Sequence, residues 1–159
     1  MKRSVLLTLL ALMASLAVVG TALATHLPAN PNVTTAAVRG TLADNVKYNV
    51  GDIKVQTKGP VDVVVVDVTF GPSASAGWHS HPGPVFVVIK TGTLSVWMDD
   101  CVKHTYSPGQ SFFEAGSVSN MLVKNENATT AATVVATFIV PVGATPLRIG
   151  EPHLCGITE

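Results

Sequence analysis

The chain has 159 residues, 47% hydrophobic and 13% charged, with ten basic against ten acidic side chains. This size and apolar content fit one compact domain with a sizeable core. A balanced charge with no basic cluster gives no electrostatic drive toward a phosphate backbone, so a nucleic acid partner is not expected.

The chain opens with Met1-Lys2-Arg3, an apolar stretch from Val5 to Val19, and Ala22-Leu23-Ala24. This pattern reads as a secretory signal peptide over residues 1–24, and the apolar run is too short for a stable membrane span. Losing Lys2 and Arg3 leaves eight basic residues against ten acidic ones, and the mature protein is expected to be periplasmic or extracellular. Residues 25–36 are rich in Pro, Asn and Thr without periodicity and are read as a flexible arm. Asn32-Val33-Thr34 and Asn127-Ala128-Thr129 match glycosylation acceptors, which matter only in a eukaryotic secretory route.

From there on, strands dominate. Runs rich in β-branched residues predict strands at 38–42, 53–57, 61–70, 85–90, 93–98, 102–106, 111–114, 119–124 and 132–140. Between them lie turn sequences such as Lys58-Gly59-Pro60, Gly71-Pro72, Thr91-Gly92, Ser107-Pro108-Gly109 and Asn125-Glu126-Asn127. No segment keeps a helical period. Many short strands with regular turns predict an all-β, antiparallel double sheet or small barrel, which removes exposed edges and can enclose one small ligand.

Ahead of the run Val85-Phe86-Val87-Val88-Ile89 stand His79 and His81, two imidazoles one residue apart. On extended backbone, residues i and i+2 project to the same side, so the pair can converge on one metal ion or ligand. The bland alternative is a polar pair lining a pocket mouth. Trp78, Val85 and Phe86 are the neighbours expected to form the pocket, with packing the better reading for Trp78 and Trp97. Phe86, Val88, Phe112, Phe138 and Val140 are expected as pocket wall or core. Glu114, one carboxylate without a placed partner, reads as a solvated edge residue and is given no role. His104 makes a Cys-x-x-His spacing with Cys101, which the structural reading leaves unused.

Cys101 and Cys155 are the only cysteines, and an even pair in an exported chain predicts one disulfide. Closing so long a loop stabilises by about 4 kcal/mol in the chain-entropy model and would tie the tail, residues 146–159, back onto a barrel at 37–145.

Trp78-His79-Ser80-His81-Pro82, Gly92 and the later Ser107-Pro108-Gly109-Gln110-Ser111-Phe112-Phe113-Glu114 resemble the cupin pattern (type-2, RmlC-like). The resemblance implies a single jelly-roll barrel. It also implies a metal cage built from a His-x-His pair and a glutamate in one motif and a third histidine in the second. His79 and His81 fall on the pair and Gly92 on the closing glycine, while Ser73 occupies the opening glycine slot. The glutamate slot is Val85. The third-histidine slot is Asn120 counted forward from Gly109, or Met121 counted back from Asn125. Outward placement of Lys124 turns Met121 inward and favours it.

The cage the resemblance implies thus reduces to His79 and His81, with Met121 as a soft thioether ligand or an ordinary core filler. Three functions follow from it. The first is a secreted protein binding a small molecule near the two histidines. The second is a metal-dependent enzyme of oxygenase or isomerase type. The third is an extracellular Cu(I)-binding protein using His79, His81 and Met121. The implied cofactor is one divalent or Cu(I) ion, and homodimer formation is left open.

Overall fold

In a computed structural model, residues 33–157 are described. The signal-peptide reading, His26 and most of the expected arm lie outside them. Strands run β1 Val33–Leu42, β2 Lys47–Val50, β3 Ile53–Gln56, β4 Val61–Phe70, β5 Ser75–Ser80, β6 Val85–Thr91, β7 Leu94–Trp97, β8 Lys103–Tyr106, β9 Ser111–Glu114, β10 Met121–Lys124, β11 Ala132–Pro141 and β12 Ile149–Gly150. Among the described residues a single 3-10 turn spans Gly116–Val118. Among the described residues no helix is long and apolar enough to cross a membrane.

Two five-stranded antiparallel sheets make the double-sheet jelly roll, in the orders β1-β4-β11-β6-β9 and β12-β5-β10-β7-β8. The first sheet alternates cleanly. In β11 the even-numbered residues Ala132 to Val140 are buried and the odd ones are not, as period-2 side chains require when one face meets the core. Val64, Val66, Val87, Val134 and Phe138 of this sheet meet Leu94, Val96, Met121 and Val123 of the other in one core cluster.

The second sheet is buried on both faces along β5, β10 and β7. Trp78, Leu122 and Trp97 are register neighbours across β5, β10 and β7, and Leu154, Cys155 and Ile157 of the tail pack on them. Cys101 and Cys155 form the expected disulfide, which holds that tail in place.

Several expectations need correction. β1 starts at Val33, so residues 33–36 of the expected arm pair with β4 instead. β2 and β5 were not expected. β2 and β3 form a separate exposed hairpin, while Ser-Ala-Gly-Trp-His-Ser in β5 lacks the β-branched residues that announce a strand. The inward reading of Met121 holds, but Leu122 beside it is equally buried because the tail covers the outer face.

Candidate metal centre and cavity

β5 runs antiparallel to β10 with a register shift opposite Val123, where Gly77 takes φ 69°. A left-handed residue in a bulge is a glycine position, because a Cβ there would crowd the carbonyl. Beyond the bulge the strand turns Trp78 outward and His79 inward, and His81 follows just past its end. Ser73, in the slot where the resemblance expects glycine, also has positive φ, 56°.

The imidazoles of His79 and His81 stand edge to face with centroids 4.8 Å apart, and both are buried. His79 Nδ1 lies 2.7 Å from the Gly77 carbonyl, and His81 Nδ1 lies 2.7 Å from the Leu147 carbonyl. A carbonyl only accepts, so each Nδ1 carries the proton and each Nε2 is left with its lone pair toward the interior. Backbone carbonyls in this role orient imidazoles that ligate metals.

Glu114 corrects the sequence reading most sharply. It is 4% exposed, and its Oε2 sits 2.9 Å from His81 Nε2. With Nδ1 of His81 already donating to Leu147, two lone pairs meet across that gap. A shared cation, either a proton or a metal ion, is what holds such a contact together in a buried place. One ligand atom each from His79, His81 and Glu114 falls within 4.8 Å of the others. Metal–ligand bonds of about 2.0–2.2 Å put adjacent donors about 3 Å apart, so the His81–Glu114 pair already has that spacing and the widest gap closes if the two side chains that bound it each move by about 1 Å. Burial pushes the His79 imidazole down to about 3, with His81 and Arg148 adding to the effect and the Gly77 carbonyl opposing it. A neutral imidazole is the form that ligates a metal.

The three side chains line a cavity of about 530 Å³, counted out to its open mouth. The remaining wall is almost entirely apolar, with Val68, Phe70, Leu94, Phe112 and Phe138 among its side chains. Arg148 adds a guanidinium at the wall, with its Nε donating to the Ala76 carbonyl at 2.8 Å. His81 packs edge-on against Phe138, centroids 5.1 Å apart.

The family model of the cupin domain matches residues 66–136, which hold both histidines and Glu114. The chain belongs to the cupin superfamily. Among solved structures this cupin overlays KdgF from a Halomonas species at 16% identity, covering 71% of this chain and 83% of that one with a TM-score of 0.49. An RmlC-like cupin from Shewanella frigidimarina aligns at 22% identity over 51% and 68% of the two chains, TM-score 0.43. The DMSP lyase DddQ from Ruegeria pomeroyi aligns at 12% identity over 55% and 42%, TM-score 0.47. No curated protein matches the sequence.

In this cupin Val85 does occupy the glutamate slot on β6, yet the centre has its carboxylate. Val85 pairs in register with Glu114 of β9, so the two side chains share the inner face and the acid arrives from the neighbouring strand. The signal was present but ambiguous: Phe112 and Phe113 are both apolar, and only if Phe112 faces inward does Glu114 follow it. Met121 is the register partner of His79 and is fully buried, in the core cluster and not among the cavity-lining side chains.

The expected pocket residues Trp78, Val85 and Phe86 do not line the cavity. Trp78 lies under the tail on the outer face, Val85 is packed in the core, and Phe86 faces outward with Val88. His104 is exposed beside Asp100, 3.4 Å away, and the disulfide takes the Cys101 sulfur from it.

Proposed function

We propose that this cupin is an exported protein that holds one divalent transition-metal ion on His79, His81 and Glu114 and binds a small, largely apolar molecule over it. The observation that carries the reading is the contact between His81 Nε2 and Glu114 Oε2, 2.9 Å apart beside a carbonyl-oriented His79. Two imidazoles and a carboxylate on one side of an ion leave its other positions open and suit Fe(II), Mn(II) or Zn(II) rather than Cu(I). A bound ion would act there as a Lewis acid toward an oxygen of the ligand. The protein's own part is to keep both Nε2 lone pairs aimed, to exclude water with an aliphatic and aromatic wall, and to admit a ligand with one polar group at its buried end. Export is supported by the signal-like N-terminus and by the Cys101–Cys155 disulfide.

Calorimetric titration of metal-free protein with Mn(II), Zn(II) and Cu(I) tests the reading. One ion should bind per chain, with His79→Ala, His81→Ala and Glu114→Ala each weakening it by tenfold or more and Met121→Leu leaving it unchanged. Wild-type affinity in Glu114→Ala rules out the carboxylate as ligand. A loss confined to Cu(I) in Met121→Leu transfers the site to the thioether set.

A further inference from the structure

Among the described residues Arg148 is the only lysine or arginine on the cavity wall, and the edge of β5 explains how it comes to be there. β12 pairs with β5 at Ile149–Ser80 and Gly150–His79, and the Glu151 amide then donates to the Trp78 carbonyl. The Ala76 carbonyl, across the Gly77 bulge, receives Arg148 Nε at 2.8 Å, and Nη2 lies 3.4 Å from the Trp78 carbonyl. Gly150 makes room for this path. Arg148 Nη1 stands 3.7 Å from the point where a Cβ on Gly150 would lie, so the guanidinium runs over a position that has no side chain. Gly150 is the register partner of His79, and opposed residues of a pair share a face. The half-buried cation is therefore tied by backbone carbonyls on the side of the sheet to which His79 points, and its charge helps to keep that imidazole neutral.

We infer that the molecule this cavity takes is a small organic acid with a hydrocarbon body, its carboxylate held jointly by the ion and by Arg148. The inference rests on the reading of His79, His81 and Glu114 as a divalent-ion site and adds the class of ligand to it. Charge selects the acid. Glu114 and Arg148 cancel each other, and imidazoles that ligate an ion are neutral, so an ion in place leaves its double positive charge uncompensated. In a largely apolar surrounding that excess is costly unless an anion enters with the ligand. A planar carboxylate fits the donor fork of a guanidinium and is an oxygen donor of the kind such ions accept.

The rest of the wall selects the body of the ligand. Apart from the groups already named, Thr35 is the only polar side chain on the wall among the described residues. Val68, Phe70, Leu94 and Phe112 have no hydrogen-bonding atom in their side chains, so a sugar acid would bury its hydroxyls without partners, whereas an alkyl or aryl acid gives up only water. A phosphate would answer the charge as well, but its additional oxygens call for donors that a wall with one guanidinium does not supply.

Titration calorimetry of Mn(II)-loaded protein with hexanoate, phenylacetate, the amides of both, phenyl phosphate and glucuronate tests the inference. Each acid should bind about tenfold or more tighter than its amide, with glucuronate and phenyl phosphate weaker than either acid. Arg148→Gln should bring the acids down to the level of the amides without weakening Mn(II) affinity. Arg148→Lys, which keeps the charge, should recover most of the preference and so separates loss of charge from disturbance of the fold. Equal affinity for acids and amides, no binding of either acid at millimolar concentration, or a preference that survives Arg148→Gln overturns the inference, as does tighter binding of glucuronate or phenyl phosphate. All of these outcomes leave the metal reading standing. That reading fails separately, in the metal titration that precedes the ligands, if Mn(II) does not bind, and the joint hold on a carboxylate then falls with it.

Discussion

His79 is held neutral by its surroundings, and this gives the protein a pH dependence with a definite sign. The unfolded chain takes up a proton on this residue near the ordinary value of 6.5, whereas the folded one does so only near 3. Above about pH 6.5 neither form is protonated there, and His79 costs nothing. As the pH falls from that point toward 3, the unfolded chain binds a proton that the folded chain refuses, so stability declines by up to about 1.4 kcal/mol per pH unit. Urea unfolding of metal-free protein between pH 7 and pH 4.5 should show this decline, and His79→Asn should flatten it by the equivalent of one proton. An identical slope in the variant shows that the folded imidazole does accept the proton in this range. The same neutrality would favour the proposed metal ion, since an ion and a proton compete for Nε2.

Residue by residue, His79 and His81 were legible because adjacent alternate positions on extended backbone need no knowledge of partners. Met121 was legible as a facing position for a similar reason, since alternation from Lys124 settles which way it points and the register puts it opposite His79. Glu114 was not. Its place in the centre depends on which residue of β6 it faces, and pairing register between strands is a tertiary fact that a motif counted along one strand does not contain.

At the scale of elements, Val61–Phe70 and Ser111–Glu114 were readable to the residue because aliphatic alternation or flanking turn residues bound them. β5 was not, because its residues serve the site, the bulge and the tail. Small, aromatic and imidazole side chains fill a strand whose stability comes from β10 and β12 on either side. The turn from β6 into β7 shows how one residue can join the two sheets. Gly92 has φ 72°, and a Cβ there would stand 2.7 Å from the Cα of Ala132 and 2.8 Å from the Ala131 carbonyl oxygen. Gly109 has a similar φ, 84°, with nothing within 4 Å of the same point. Both Gly→Ala changes carry the backbone penalty of about 1 kcal/mol, but only the first forces backbone against backbone. Denaturant melts should therefore find Gly92→Ala the more destabilised by at least another 1 kcal/mol. Equal losses indicate that the β6–β7 turn shifts freely away from β11.

Over the whole molecule, the tail makes a strap across the outside and edge of the sheet that bears the histidines. Leu147 presents the carbonyl that orients His81, and Arg148 bonds to the Ala76 carbonyl. Ile149 and Gly150 pair with Ser80 and His79, and the Glu151 amide donates to the Trp78 carbonyl. The Ser80 hydroxyl donates to Glu151 at 2.6 Å, and Cys155 ends the strap on Cys101. One covalent bond thus couples the cover over Trp78 and Trp97 to the aim of the His81 imidazole. With the cysteines 54 positions apart in the sequence, the chain-entropy model assigns the bond about 4 kcal/mol. In denaturant unfolding the Cys101→Ser/Cys155→Ser double variant should be less stable by that amount. Below its transition it should show red-shifted tryptophan emission and weaker metal binding, because a strap that frays releases the Leu147 carbonyl together with the indole cover. If stability falls but emission and metal affinity stay at wild-type values, the hydrogen bonds between the strap and β5 hold the site by themselves and the disulfide acts only on the unfolded chain.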